Sequence, residues 1–178
     1  MHYLALLRGI NVGGNSLVKM DVLKAALTTA GFESVRTYIQ SGNVFFASEI
    51  SDKAKLAQSI ATCVKNTFGV SAGVAVFTKD EWQKILDNAP AWWGKRDDWK
   101  HNLLVLIGTY DISQVVAAVG TLKPEIEAMQ PGDGVLYQSM SLKLFGRTTT
   151  GKLASNPVYK QMTVRNYTTA TKLLKLFD

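Results

Sequence analysis

The 178 residues include one cysteine, two histidines and four prolines. A single cysteine, Cys63, excludes an internal disulfide framework and a cysteine-built zinc site. Two histidines, His2 and His101, leave too few ligands for an all-histidine metal centre. Apolar runs are short, and none approaches the roughly 20 residues that span a bilayer. The opening residues, Met1 to Arg8, carry neither the basic leader nor the small-residue cleavage site of a secretory signal. A reducing, cytoplasmic location without a membrane partner is the expectation.

Acidic side chains are scarce in one region. Residues 1–142 hold 13 basic and 13 acidic side chains, whereas residues 143–178 hold seven basic and one acidic. The whole formal excess of +6 therefore lies in the last fifth of the chain. Such asymmetry suits an anionic partner: a phosphate, a nucleotide, nucleic acid or an acidic surface. The same lysines, being spread out, also fit a merely solvated face. Hydrophobic residues make up 47% and charged residues 19%, a composition that folds rather than stays disordered. The length allows one domain, or two small ones sharing a core.

Residues 3–7, Tyr-Leu-Ala-Leu-Leu, predict a strand buried on both faces, ending at Arg8-Gly9. A glycine-rich loop follows, from Gly9 through Asn11, Gly13 and Gly14 to Asn15. Leu23, Ala26, Leu27 and Ala30 recur at helical spacing, with Gly31 placed to cap the end. Two β-branched and aromatic runs, Val35–Ile39 and Val44–Ala47, flank a turn in which Ser41-Gly42 predicts a two-residue hairpin connection. Leu56, Ile60, Val64 and Phe68 then mark a second amphipathic helix, and Val74–Phe77 another strand. The order β-α-β-β-α-β is the split βαβ, or ferredoxin-like, unit.

A short helix over 80–87 leads to an aperiodic stretch, residues 89–100, read as a linker between halves 1–88 and 101–178. The pattern then restarts. A strand at 103–107 precedes helical pieces over 112–129, broken near Gly120 and Pro124. Val135–Gln138 and Leu142–Phe145 predict a hairpin around Ser139-Met140-Ser141. Residues 153–161 and 164–177 read as helices, the latter capped by Thr163. The second half thus reads β-α-β-β-α-α, and the fold class is α+β with two related ferredoxin-like halves. Both first strands are apolar on both faces, so each sheet's second face must be covered, most simply by the other half or the linker. This argues against an open sheet that stacks RNA bases on Phe45 and Phe46.

In a β-α-β-β-α-β sheet, strands one and two run parallel with the third between them. The end of strand one and the turn after strand two therefore share one edge. That brings Arg8, Asn11 and the glycine N–H groups of Gly13 and Gly14 beside Gln40, Ser41 and Asn43. A guanidinium offers a planar fork of donors to carboxylate or phosphate, and glycine-rich turns aim N–H groups at anions. The expectation is a small anionic or phosphate-bearing ligand at this edge, with Lys152, Arg165 and Asn166 as candidate contacts from the second half. Tight-turn residues with Arg8 reaching solvent would leave the same pattern. An enzyme using that cleft, or a nucleic-acid module using the basic C-terminal region, are the alternatives. No nucleophile–base pair or metal triad stands out.

Gly146 to Lys152 matches the G-x-x-x-x-G-K half of a phosphate-binding loop, but Leu153 stands where a magnesium-holding hydroxyl is needed. A basic, threonine-rich loop touching an anion through Arg147 and Lys152 is the simpler expectation. Cys63, beside Ile60 and Val64, reads as a small buried hydrophobe.

The runs Leu6-Leu7-Arg8-Gly9-Ile10-Asn11-Val12-Gly13-Gly14, Thr37-Tyr38-Ile39-Gln40-Ser41-Gly42-Asn43-Val44-Phe45-Phe46 and Thr163-Val164-Arg165-Asn166-Tyr167-Thr168-Thr169 resemble the bacterial domain of unknown function 1697. The resemblance covers nearly the whole chain. It implies an α+β fold of two related halves and carries no settled activity. The family usually has tryptophan where Tyr167 stands, and serine-lysine-leucine near Gly151-Lys152-Leu153, which weakens the phosphate-loop reading.

Overall fold

A computed structural model describes residues 1–12, 17–108 and 111–177. The chain divides into two compact units, Met1–Trp82 together with Phe177, and Gln83–Leu176.

The first unit opens with β1 (His2–Arg8), α1 (Met20–Thr29), β2 (Glu33–Tyr38) and β3 (Asn43–Ala47). It continues through α2 (Lys53–Phe68) and β4 (Gly73–Thr78) into the start of α3 (Lys79–Asp87). The sheet order is β2-β3-β1-β4, with every neighbouring pair antiparallel. Residues 3–7 of β1 are all apolar, and both faces of that run are buried. One face sets Tyr3, Ala5 and Leu7 against Leu23 and Leu27 of α1 and Leu56, Ile60 and Val64 of α2. The other carries Leu4, Leu6 and Phe45, all buried. On that face Phe45 meets the Phe177 ring edge-on at 5.2 Å between centroids. The second covering helix starts and ends as its residues dictate. Asp52 accepts from the N–H groups of Ala54 and Lys55 to cap α2, and Gly69 closes it in the left-handed region.

The connection between β2 and β3 differs from the two-residue turn predicted. Tyr38 pairs with Asn43, so four residues, Ile39 to Gly42, make the loop. Gly42 has φ +77°, and a Cβ there would lie 2.7 Å from Ile10 Cδ1 and 2.8 Å from Leu7 Cβ. Only glycine meets both demands.

The second unit contains β5 (Trp99–Leu106), α4 (Ile112–Val119), β6 (Glu127–Pro131), β7 (Val135–Ser141), β8 (Met162–Asn166) and α5 (Tyr167–Lys175). Its sheet order, β6-β7-β5-β8, repeats the first topology. One face of the sheet packs Leu104, Leu136 and Met162 against Val115 and Val119 of α4 and Leu153.

The β-α-β-β-α-α reading of this half is corrected at several places. Residues 162–166 form a strand antiparallel to β5, with Val164 opposite Leu104, and α5 starts only at Tyr167. The cap of that helix is Asn166, whose side chain accepts from Thr169 N, and not Thr163, which lies in the strand. The hairpin lies one strand earlier than expected. β6 pairs with β7 through Gly132-Asp133-Gly134, whereas Ser139 and Ser141 are strand residues and 142–145 is not a strand. Helical residues after β5 stop at Val119, and Glu127–Pro131 is extended. Between β7 and β8 the chain makes 3-10 turns over Phe145–Arg147, Thr150–Ser155 and Pro157–Gln161.

Candidate functional site

β1 delivers Arg8 to the sheet edge where the 39–42 loop turns. Two hydrogen bonds fasten the two segments, and two more tie Asn11 to Val18. Leu7 N donates to Gly42 O at 2.8 Å. Asn11 Nδ2 donates to Gln40 O at 2.9 Å and to Val18 O at 3.0 Å, while Asn11 Oδ1 accepts from Val18 N at 2.8 Å. Asn11 takes φ +54° and Ile39 takes φ +51°, a conformation rare for a β-branched residue. Along the backbone, Arg8, Asn11 and Gln40 to Asn43 are therefore neighbours.

The side chains divide into two groups. Arg8 is half-buried, and Gln40 and Ser41 are exposed. Asn43 is 0% exposed, and its Nδ2 donates to Tyr38 O at 2.9 Å and Ser41 Oγ at 3.1 Å. Asn43 therefore shapes the turn from beneath and does not present its amide at the surface. Asn11 likewise spends its side-chain amide on backbone groups. Gly13 and Gly14 lie outside the described residues. Val12, Leu17 and Ile39, all exposed, add apolar surface on the same two loops.

The remaining candidates belong to the second unit. Arg165, a candidate contact on sequence grounds, is a strand residue and only 4% exposed. Its Nη1 donates to Thr163 Oγ1 at 2.8 Å and to Val164 O at 2.9 Å. Burial pulls its guanidinium down to about 10. Asn166 is committed to capping α5. Lys152 is exposed and borders a separate hollow of about 390 Å³ with Asn156 and Ala118.

The phosphate-loop resemblance ends at Glu127. This carboxylate is 1% exposed and accepts from the N–H groups of Lys123 and Thr149 at 3.0 and 2.9 Å. It also accepts from the N–H and hydroxyl of Thr150, each at 2.7 Å. The loop's converging donors are thus already bound to an internal anion. Burial pushes Glu127 up, but the hydrogen bonds from Thr150, Thr149 and Lys123 outweigh it and hold the carboxyl below its usual range. The sequence concealed this arrangement because Glu127 fell in a predicted helix.

His101 has a partner that spacing did not reveal. Its Nδ1 lies 2.6 Å from Ser139 Oγ across the strand pair, and its Nε2 lies 2.8 Å from Arg96 O. Ser139 is fully buried, so a substrate does not reach its hydroxyl. Among the described residues no cluster of three or more His, Cys, Asp and Glu is grouped to hold a metal ion. Among them, no helix is long and apolar enough to cross a membrane.

Comparison with curated proteins returns no match. Among solved structures, the chain is similar to a conserved bacterial protein, SP0830, from Streptococcus pneumoniae. The TM-score is 0.87 at 30% identity, covering 99% of this chain and 98% of that one. The family model described as protein of unknown function DUF1697 matches residues 1–137, a span that holds the Arg8 and Gln40–Asn43 motifs and the whole first unit except Phe177. With two βαββ-type sheets and these motifs at one sheet edge, the chain belongs to the DUF1697 family.

Proposed function

We propose that the edge formed by Arg8 and the 39–42 loop binds a small ligand bearing a carboxylate or phosphate. One observation supports this reading: two segments 29 residues apart are clamped by the Asn11 amide at the end of the strand that carries Arg8. Strained backbone at Asn11 and Ile39 is maintained there on both sides of the clamp, and such strain concentrates at functional positions. Arg8 supplies the charge, Gln40 and Ser41 supply surface polar groups, and Asn11 and Asn43 hold the loops in position. The test is a thermal-shift screen of nucleotides, sugar phosphates and small carboxylates, followed by calorimetric titration. A ligand that binds the wild type should lose about tenfold or more in affinity with Arg8→Gln, as expected for a charge-assisted bidentate contact. If every compound in the screen binds both proteins alike, the reading fails.

A second reading, nucleic-acid binding through the basic region, draws support from one surface segment. Phe145 is 43% exposed, the Lys100 ammonium lies 5.8 Å from its ring centroid, and Lys143 and Arg147 are exposed nearby in sequence. An exposed ring among cations suits base stacking and phosphate contact. Binding to a labelled oligonucleotide should then weaken steeply with salt and with Phe145→Ala.

A further inference from the structure

A cavity of about 760 Å³ opens on the first unit, away from the residues of the Arg8 edge, where β2 is irregular. The register of β2 on β3 runs from Glu33 opposite Ala47 to Arg36 opposite Phe45. Ser34 and Val35 therefore both stand opposite Phe46, which is the geometry of a β-bulge. Ser34 takes φ +51° at this point. The extra residue bends the strand, and Ser34 and Arg36 both line the hollow.

The floor of the cavity is aromatic. Phe45 and Phe177, which meet edge-on, line it and are themselves buried, so their rings form a fixed apolar surface, while the Phe46 ring packs in the core on the α1 and α2 side. The rim is cationic. Lys24 of α1, Arg36 of β2 and the imidazole of His2 line it, and all three residues are exposed. The Arg36 guanidinium sits over the Phe45 ring, 5.4 Å from its centroid, so its flat face already packs on an aromatic. Thr28 and Ser34 add hydroxyls between the charges. No carboxylate is among the described residues that line the cavity. The volume lies within the range of small-molecule sites, roughly 300–1,000 Å³.

We infer that this cavity binds a small organic anion with a flat apolar body: a carboxylate or phosphate ester carried on an aromatic or similar planar group. The phenyl floor takes the ring by area burial and edge contacts. Lys24 and Arg36 take the anionic end, Arg36 through the fork it presents above Phe45. Recognition needs both parts. The charges stand at the rim, where water screens a bare anion, and the rings alone offer nothing to a polar head.

The test uses the full chain and phenyl phosphate as the probe, with inorganic phosphate and benzyl alcohol as the two half-ligands. Amide resonances of Lys24, Ser34 and Arg36 are followed during titration, and affinity is measured by calorimetry. Phenyl phosphate should shift those amides saturably and bind at least about tenfold more tightly than either half-ligand. Lys24→Ala and Arg36→Gln should each weaken it about three- to tenfold, with the melting temperature unchanged because both side chains are exposed. Arg8→Gln should leave it unchanged, which separates this site from the edge proposed above. The inference is overturned if phenyl phosphate shows no saturation up to about 10 mM, if it shifts amides elsewhere, if neither substitution weakens it, or if inorganic phosphate binds as tightly.

Discussion

With glutamine in place of Glu127, the N–H groups of Thr149 and Thr150 would face an amide with one acceptor oxygen and a donor of its own. Glu127→Gln should therefore cost about 2–4 kcal/mol of stability at neutral pH, as breaking a buried, charge-assisted network does. The loss should appear as a lower urea midpoint. The carboxyl is held below its ordinary value of 4.5 in the folded chain. Its contribution is thus full above the unfolded value and disappears as pH falls through the lowered one. The gap between wild type and variant should accordingly narrow in acid, and a gap independent of pH would contradict the assignment. Gly42→Ala tests the other crowded position. Strain at φ +77° adds to overlap with Ile10 and Leu7, so a loss of about 2–3 kcal/mol is expected in the same assay.

Elements depend on local chemistry wherever a strand passes directly into a helix. At the end of β4, Thr78 Oγ1 accepts from Glu81 N at 3.2 Å while Glu81 Oε2 accepts from Thr78 N at 2.9 Å, a reciprocal cap for α3. Glu81 also pairs with Lys53 of α2. Thr78→Ala should cost about 1 kcal/mol, measured by thermal unfolding. Caps and periodic faces of this kind made the first unit readable from residues alone. Leu23, Leu27, Leu56, Ile60 and Val64 recur as a helix requires, and all are buried. β6 was not readable because Glu-Ala-Met-Gln are helix formers, and only pairing with β7 makes them extended. β8 was hidden because Val164 and Tyr167 also fit a helical stripe. At the Arg8 edge, strand direction alone brought the loops together. The inward turn of Asn43 and the clamp by Asn11 depend on which backbone groups need partners, which no spacing records.

For the whole molecule, the chain's last described residue matters more than its position suggests. Phe177 belongs to the first unit, whereas α5 just before it belongs to the second. Phe177→Ala would uncover the Phe45 ring and remove part of the cavity floor. A loss of about 1–3 kcal/mol is expected, less than for a ring enclosed on all sides, and denaturant unfolding measures it. His2 and Phe177 border the same hollow, and Met1 N donates to Ser48 O at 2.8 Å. His2 and Phe177, far apart in sequence, therefore stand at one place on the first unit. A cross-link between cysteines placed at these two positions would tether the start of β1 to the segment that follows α5 over a short span.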